Sequence, residues 1–265
     1  MTALAILGSL LVVAAWELCR PRRQREFPAL QRRLGNIGIW LVNIVLVAFT
    51  FAPAAATRPQ LEAAFGVRFP SWIVNGWAGF IMAFLLLDFL NYAMHRCQHA
   101  VPLLWRLHAM HHSDPDVDVT TSVRHHPIEY LLAGAFYWLA VVALDIPLAA
   151  VTAHAVTVFV AAAITHGNIR LPDRLERFLQ PVAITTDLHL VHHSLVPEQA
   201  NANFGAVFSI WDRLFGTYVR LSRGQYDRIV SGVADLPRQE GLAPLAMLLT
   251  PWAVARTQRL RQPRG

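Results

Sequence analysis

The chain has 265 residues and no lysine, so all 23 of its basic residues are arginine. It holds only two cysteines, Cys19 and Cys97. That number is too small for a disulfide-stapled secreted scaffold or for the thiolate ligands of an iron–sulfur cluster. No glycine-rich dinucleotide fingerprint and no haem-attachment motif occurs, so the chain carries no flavin, nicotinamide or c-type haem site of its own. Charged residues make up 15% of the chain, against about 25% in soluble domains. A net charge of +6 with a pI near 10.1 would suit nucleic acid. However, the arginines flank apolar runs and form no stripe beside aromatic platforms, which excludes a nucleic-acid partner and favours anionic lipid head groups. There is no internal repeat and no low-complexity linker. Exclusive use of arginine suggests a GC-rich bacterial genome, and hence a bacterial inner (cytoplasmic) membrane.

What the chain has in quantity is apolar sequence: 55% of residues are hydrophobic and the mean hydropathy is +0.37. Ala3–Trp16 is short for a span and is read as a retained anchor, because the arginines follow it instead of preceding it. Runs 37–56 and 71–94 reach the roughly 20 residues that a hydrocarbon core requires. Run 128–165 is nearly continuous and breaks only at Asp145-Ile146-Pro147, which predicts a helical hairpin whose second helix begins at the proline. The expected fold is all-α, an integral membrane bundle of about four to five spanning helices. Arg20, Arg22, Arg23, Arg25, Arg32 and Arg33 place the segment 17–33 in the cytoplasm. Counting onward, a loop over 53–70 lies outside and the ends of the later helices return to the cytoplasmic side, where a histidine-rich cap is expected.

Nine of the twelve histidines fall into four groups near those ends. They are His95-x-x-x-His99, His108-x-x-His111-His112, the single His166, and His189-x-x-His192-His193. Spacings of three and four bring side chains onto one helical face, so each larger group can offer two or three imidazoles to a shared point. Nine donors exceed what one ion takes and point to two metals. His125 and His126 precede Pro127 and either line the pocket or add a ligand. His154 stands alone in a membrane helix and reads as a core residue. Asp88, seven residues before His95 on the same face, either accepts an imidazole N–H or pairs with Arg96, Arg106 or another helix, which would stabilise the fold. Phe80, Phe84, Tyr137 and Trp138 either line a substrate pocket or pack the bundle.

The order and spacing of these boxes resemble the fatty acid hydroxylase and sterol desaturase superfamily. Smaller features agree with it: Asp88, Arg96, Arg124, His126-Pro127, Glu129, Asp187 before the third box, Asn203-Phe204-Gly205 and the stretch from Trp211 to Thr217. The resemblance covers 72–220 as a catalytic domain, preceded by membrane helices over 1–71 and followed by a tail over 221–265. That tail contains a helix over 242–261 which either lies on the membrane surface or packs on the bundle. The resemblance implies two iron ions held by the nine histidines, with Asp88 and Asp187 supporting the ligands from behind. It implies dioxygen as co-substrate and a lipid C–H bond (sterol, hopanoid, fatty acyl or ether lipid) that becomes an alcohol or an alkene. Electrons would come from a separate ferredoxin or cytochrome with its reductase. Where some relatives carry a further histidine after the His166 position, this chain has Arg170. Two other readings stay open on the residues alone: a histidine-rich metal-binding or transport protein without oxygenase activity, and a haem-binding membrane cytochrome.

Overall fold

A computed structural model describes residues 2–65, 76–234, 236–237 and 243–261. Among the described residues there is no strand, only two isolated antiparallel bridges, Ala183 with Phe208 and Ser194 with Ser231. Three helices are long and apolar enough to cross a membrane: α2 (Ala29–Ala56), α4 (Gly76–Ala100) and α7 (Leu148–His166). Two shorter apolar helices, α1 (Thr2–Cys19) and α6 (Pro127–Ala143), complete the bundle. The α2 residues Leu41, Val42, Val45 and Phe49 are exposed, as lipid-facing side chains would be.

The hairpin forms where the sequence places it. Asp145 takes the left-handed conformation (φ 46°) and Pro147 is the N-cap of α7. The expected outer loop differs, because α2 runs through Pro53 to Ala56 and a further helix, α3 (Arg58–Phe65), follows. Pro53 removes one intrahelical hydrogen bond, to the carbonyl four residues before it, while Ala54-Ala55-Ala56 favours continuation. The rest of that loop, and the first five residues of run 71–94, lie outside the described residues.

Short helices build a cap over one end of the bundle. They are α5 (Pro102–His112), α8 (Asp173–Leu179), α9 (Thr186–His192), α10 (Pro197–Ala200), α11 (Ile210–Leu214) and α12 (Arg223–Tyr226). Two more, α13 (Pro244–Leu248) and α14 (Thr250–Arg261), follow. The tail helix α14 packs on α5 through buried Val254 and Ala255. Between α5 and α6 a 3-10 turn (Val119–Val123) is capped by Asp118, whose carboxylate accepts from the Thr120 amide at 2.9 Å.

Carboxylates of the protein hold much of the arginine-rich segment, although Arg20 is exposed and Arg23, Arg25 and Arg33 are half-buried. Arg32 is fully buried and bridges Asp114 (2.8 Å) and Asp118. Arg33 reaches Asp118 (2.8 Å) and Glu17 (2.9 Å). Glu17, at the end of α1, accepts the amides of Val119 and Asn168, each at 2.7 Å. Asn168 in turn binds both backbone groups of Arg23. Gly167 permits this closure, since a Cβ there would stand 2.7 Å from Val13 Cγ1 on α1. Burying so many charges is tolerated because each has an opposite partner.

Candidate metal centre

The nine boxed histidines meet beneath the cap in two groups. One gathers His95, His99, His108, His112 and His192; the other gathers His111, His166, His189 and His193. Within each group the ligand-capable atoms lie within 4.8 Å of one another. In the first group the Nε2 atoms of His95 and His108 are 3.1 Å apart, His95 and His192 3.0 Å, His99 and His112 3.1 Å, and His108 and His112 3.2 Å. In the second, His111 and His166 stand at 3.1 Å, His166 and His189 at 2.9 Å, and His189 and His193 at 3.2 Å.

Each larger box sends two imidazoles to one shared point, His95 with His99, His108 with His112 and His189 with His193, while His111 and His192 each go to the other group. In α5, His108 and His112 join the first group while His111, one residue before His112, joins the second. In the third box the allegiance is exchanged: His189 and His193 serve the second group and His192 the first. A helix advances about 100° per residue, so adjacent side chains diverge while those four apart stay together.

The tautomers decide what fits between these rings. His95 Nδ1 faces the Phe204 carbonyl at 2.8 Å, His192 Nδ1 the Ala202 carbonyl at 2.8 Å and His108 Nδ1 the Glu129 carboxylate at 2.8 Å. In the second group His166 Nδ1 faces the Ala162 carbonyl at 2.8 Å and His111 Nδ1 the Arg124 carbonyl at 3.3 Å. A carbonyl oxygen only accepts, so the proton sits on Nδ1 and Nε2 keeps its lone pair. Lone pairs therefore face lone pairs in both groups, an arrangement that repels unless a cation lies between. Burial, with neighbouring imidazoles adding to it, holds His111, His112, His189, His192 and His193 well below the ordinary histidine pKa, so they are neutral donors.

The cap motifs explain how the rings are aimed. Asn203, at φ 56°, donates to the Leu188 and Val219 carbonyls. Asp212 accepts from the amides of Phe204 (2.7 Å) and Gly205 (2.9 Å) and from the Thr217 hydroxyl (2.7 Å). This loop presents the Phe204 carbonyl to His95. Glu129 takes His108, His125 (3.2 Å) and Gln98 (3.1 Å). Its signal in the sequence is the i, i+4 spacing from His125 at the start of an apolar helix.

Other expected residues are placed differently. Asp88 does not reach His95: seven residues are roughly 10 Å of helix rise, too far for a short carboxylate, and His95 Nδ1 is already engaged. It pairs with neither Arg96 nor Arg106, but accepts from Trp211 Nε1 (2.8 Å) and the Phe208 amide (3.3 Å). Asp187 faces away from the imidazoles and pairs with Arg22 (2.6 Å) and Arg223 (3.0 Å). His126 stands in neither group. Its Nδ1 caps α6 by accepting from the Ile128 amide (3.2 Å), and its Nε2 meets the Leu248 carbonyl (3.3 Å). His125 stacks on His111 with ring centroids 4.6 Å apart and forms a small third group with His108 and Glu129.

All-helical among the described residues, the bundle has membrane-length helices and closes at one end over two histidine clusters that could hold metal, the frame of a membrane protein with a candidate metal centre. A family model described as fatty acid hydroxylase matches residues 80–217, a stretch that contains every histidine of both clusters, and the chain belongs to that family. Among curated relatives, an ornithine lipid hydroxylase of Rhizobium tropici is 34% identical over 68% of this chain and 53% of its own length. An alkylglycerol monooxygenase of Xenopus tropicalis is 33% identical over 52% of this chain and 30% of its own. A very-long-chain aldehyde decarbonylase of Oryza sativa is 28% identical over 81% of this chain and 34% of its own. The chain thus spans about half or less of the length of these relatives. No solved structure matches it.

Proposed function

We propose that the protein is a membrane-bound di-iron oxidoreductase that uses dioxygen to hydroxylate a C–H bond of a lipid, with its metal centre on the cytoplasmic side of a bacterial inner membrane. The observation that carries this reading is the division of nine imidazoles into groups of five and four, with the Nε2 atoms of His95, His108 and His192 turned toward one another in one and those of His111 and His166 in the other. Donors about 2.1 Å from a common ion stand roughly 3.0 Å apart at right angles but roughly 3.4 Å apart in a tetrahedron. The nearest separations, 2.9 to 3.2 Å, lie within reach of donors to one ion, and imidazole-rich sites take iron among other first-row metals.

Two irons held there would supply the reductive activation of dioxygen that breaks an unactivated C–H bond. The chain's own residues perform the rest. Glu129, Phe204, Ala202 and Ala162 fix the ring orientations, and neutral ligands leave the charge of the ions uncompensated. Balance requires two electrons and two protons for each dioxygen, giving an alcohol and water. A separate one-electron donor, such as a ferredoxin or cytochrome with its reductase, would deliver the electrons. Half-buried Trp105 offers a contact for it: its ring lies 4.9 Å from His99 and 5.5 Å from His112 and lines a 230 Å³ depression in the cap. Desaturation shares the hydrogen-removal step and differs in losing a second hydrogen. A transport reading is disfavoured because the donors cluster at one end of the spanning helices and not along a path through them.

The test is metal content and turnover of detergent-purified protein prepared without oxygen. Two irons per chain, with an oxygen-dependent hydroxylated lipid formed on adding reductant, are expected. Zinc alone, with no uptake of ferrous iron, would overturn the reading.

A further inference from the structure

Asp88 is fully buried at a depth where an ionisable group is expensive. Its Oδ2 is satisfied by Trp211 and Phe208, but its Oδ1 has no hydrogen-bond partner and lies 3.6 Å from Nε2 of His154. That nitrogen, on a residue 5% exposed, is also without a hydrogen-bond partner, as is the buried hydroxyl of Tyr137. Asp88 Oδ1 and His154 Nε2 face each other, which leaves the Tyr137 hydroxyl as the polar group here that calls for an occupant.

His154 and Tyr137 line one cavity of 280 Å³ between α4, α6 and α7. Leu87, Val141, Val151 and Val158 supply aliphatic walls, and the lining residue Ala155 is exposed, so the cavity opens sideways between spanning helices. Its upper end includes Asn91, one helical turn, or roughly 6 Å of rise, from His95. Phe84 holds the His154 ring edge-on, centroids 5.2 Å apart. The shape suits a hydrocarbon chain entering from the bilayer, and the polar atoms suit an oxygen on that chain.

We infer that this cavity binds one chain of the lipid substrate and that Tyr137 donates a hydrogen bond to an accepting oxygen on it, an ether, ester or amide oxygen, with the His154 ring on the same cavity wall. The inference rests on the proposed lipid oxidation and adds a specificity determinant to it. Holding the oxygen at a fixed height below His95 selects which carbon stands under the metal centre. A plain alkane lacks this anchor and binds by its chain alone.

The experiment uses full-length protein in detergent, stripped of metal, so its outcome does not depend on whether iron or oxidase activity is present. Two probes of equal chain length, 1-O-hexadecylglycerol and hexadecane, are offered together, and retention of each is read by native mass spectrometry. Wild type is expected to prefer the ether. Tyr137→Phe should reduce that preference about three- to tenfold, the worth of one hydrogen bond, while leaving hexadecane retention unchanged. Ala155→Trp should exclude both probes, and Val151→Phe serves the same purpose should the tryptophan variant fail to fold. An unaltered preference in Tyr137→Phe, retention of both probes by the blocked variant, or no retention by wild type would each overturn the inference, the last assigning the Tyr137 hydroxyl to water.

Discussion

Replacing Glu129 with glutamine removes a negative charge from behind His108 while keeping the volume and one accepting oxygen. In the structure a single carboxylate oxygen receives His108 at 2.8 Å, Gln98 at 3.1 Å and His125 at 3.2 Å. An amide oxygen can accept the same contacts, so the ring stays aimed and only the charge assistance is lost. The difference between a charge-assisted and a neutral hydrogen bond is about 1 kcal/mol, which corresponds to roughly a fivefold weaker hold on an ion by the five-histidine group. Glu129→Ala frees the ring as well and should cost about ten- to a hundredfold. The four-histidine group makes no contact with Glu129 and should load as before. Anaerobic titration of metal-free protein with cobalt(II), followed by its ligand-field absorption, resolves the two events. Equal weakening of both sites, or of neither, would refute the assignment of Glu129 to one centre.

Further outcomes follow from the same geometry. His111→Ala should cost the ion of the four-histidine group and His192→Ala that of the five-histidine group, each with loss of oxidase activity, whereas His154→Ala should keep both ions; elemental analysis per chain distinguishes these patterns. Arg32→Ala leaves Asp114 buried without its arginine, while Asp118 keeps Arg33, and should destabilise the fold by about 3–5 kcal/mol, seen as a lowered Tm in detergent; an unchanged Tm counts against a structural role for the Arg32–Asp114 pair. The pH dependence has a definite sign. His111, His112, His189, His192 and His193 are held neutral in the fold by burial, whereas in the unfolded chain they protonate near 6.5. Below about that pH the unfolded state binds more protons, so the Tm of metal-free protein should be level above it and fall from pH 7 to 5. A Tm that stays level across that interval would contradict the neutral assignment.

The sequence shows where the donors are but not how they divide. Spacing alone places His95, His99, His108, His111, His112, His166, His189, His192 and His193 near helix ends on one side, and the structure gathers them there. The partition depends on how α5 and α9 are rotated against each other, and that is set by the packing of the cap, which has no periodic signature. Of the two roles that helical phase leaves open for Asp88, the structure shows pairing with another helix, since phase says nothing about the roughly 10 Å of rise between it and His95. The arginines of 17–33 read as surface charge because their partners, Asp114, Asp118 and Asp187, lie far along the chain. Glu129 and Asp212 stood in recognisable motifs, but only the fold shows that one holds His108 and the other a loop whose carbonyl holds His95.

The exchange of allegiance between neighbouring histidines makes each HxxHH helix a rigid jig shared by both centres. Turning either helix to suit one cluster would disturb the other, so the spacing of the two clusters is set by helical pitch. A one-residue insertion inside a box would turn the following ligands by about 100° and assign them to the wrong centre, so these segments have no tolerance for changes in length, whatever the loops around them can absorb.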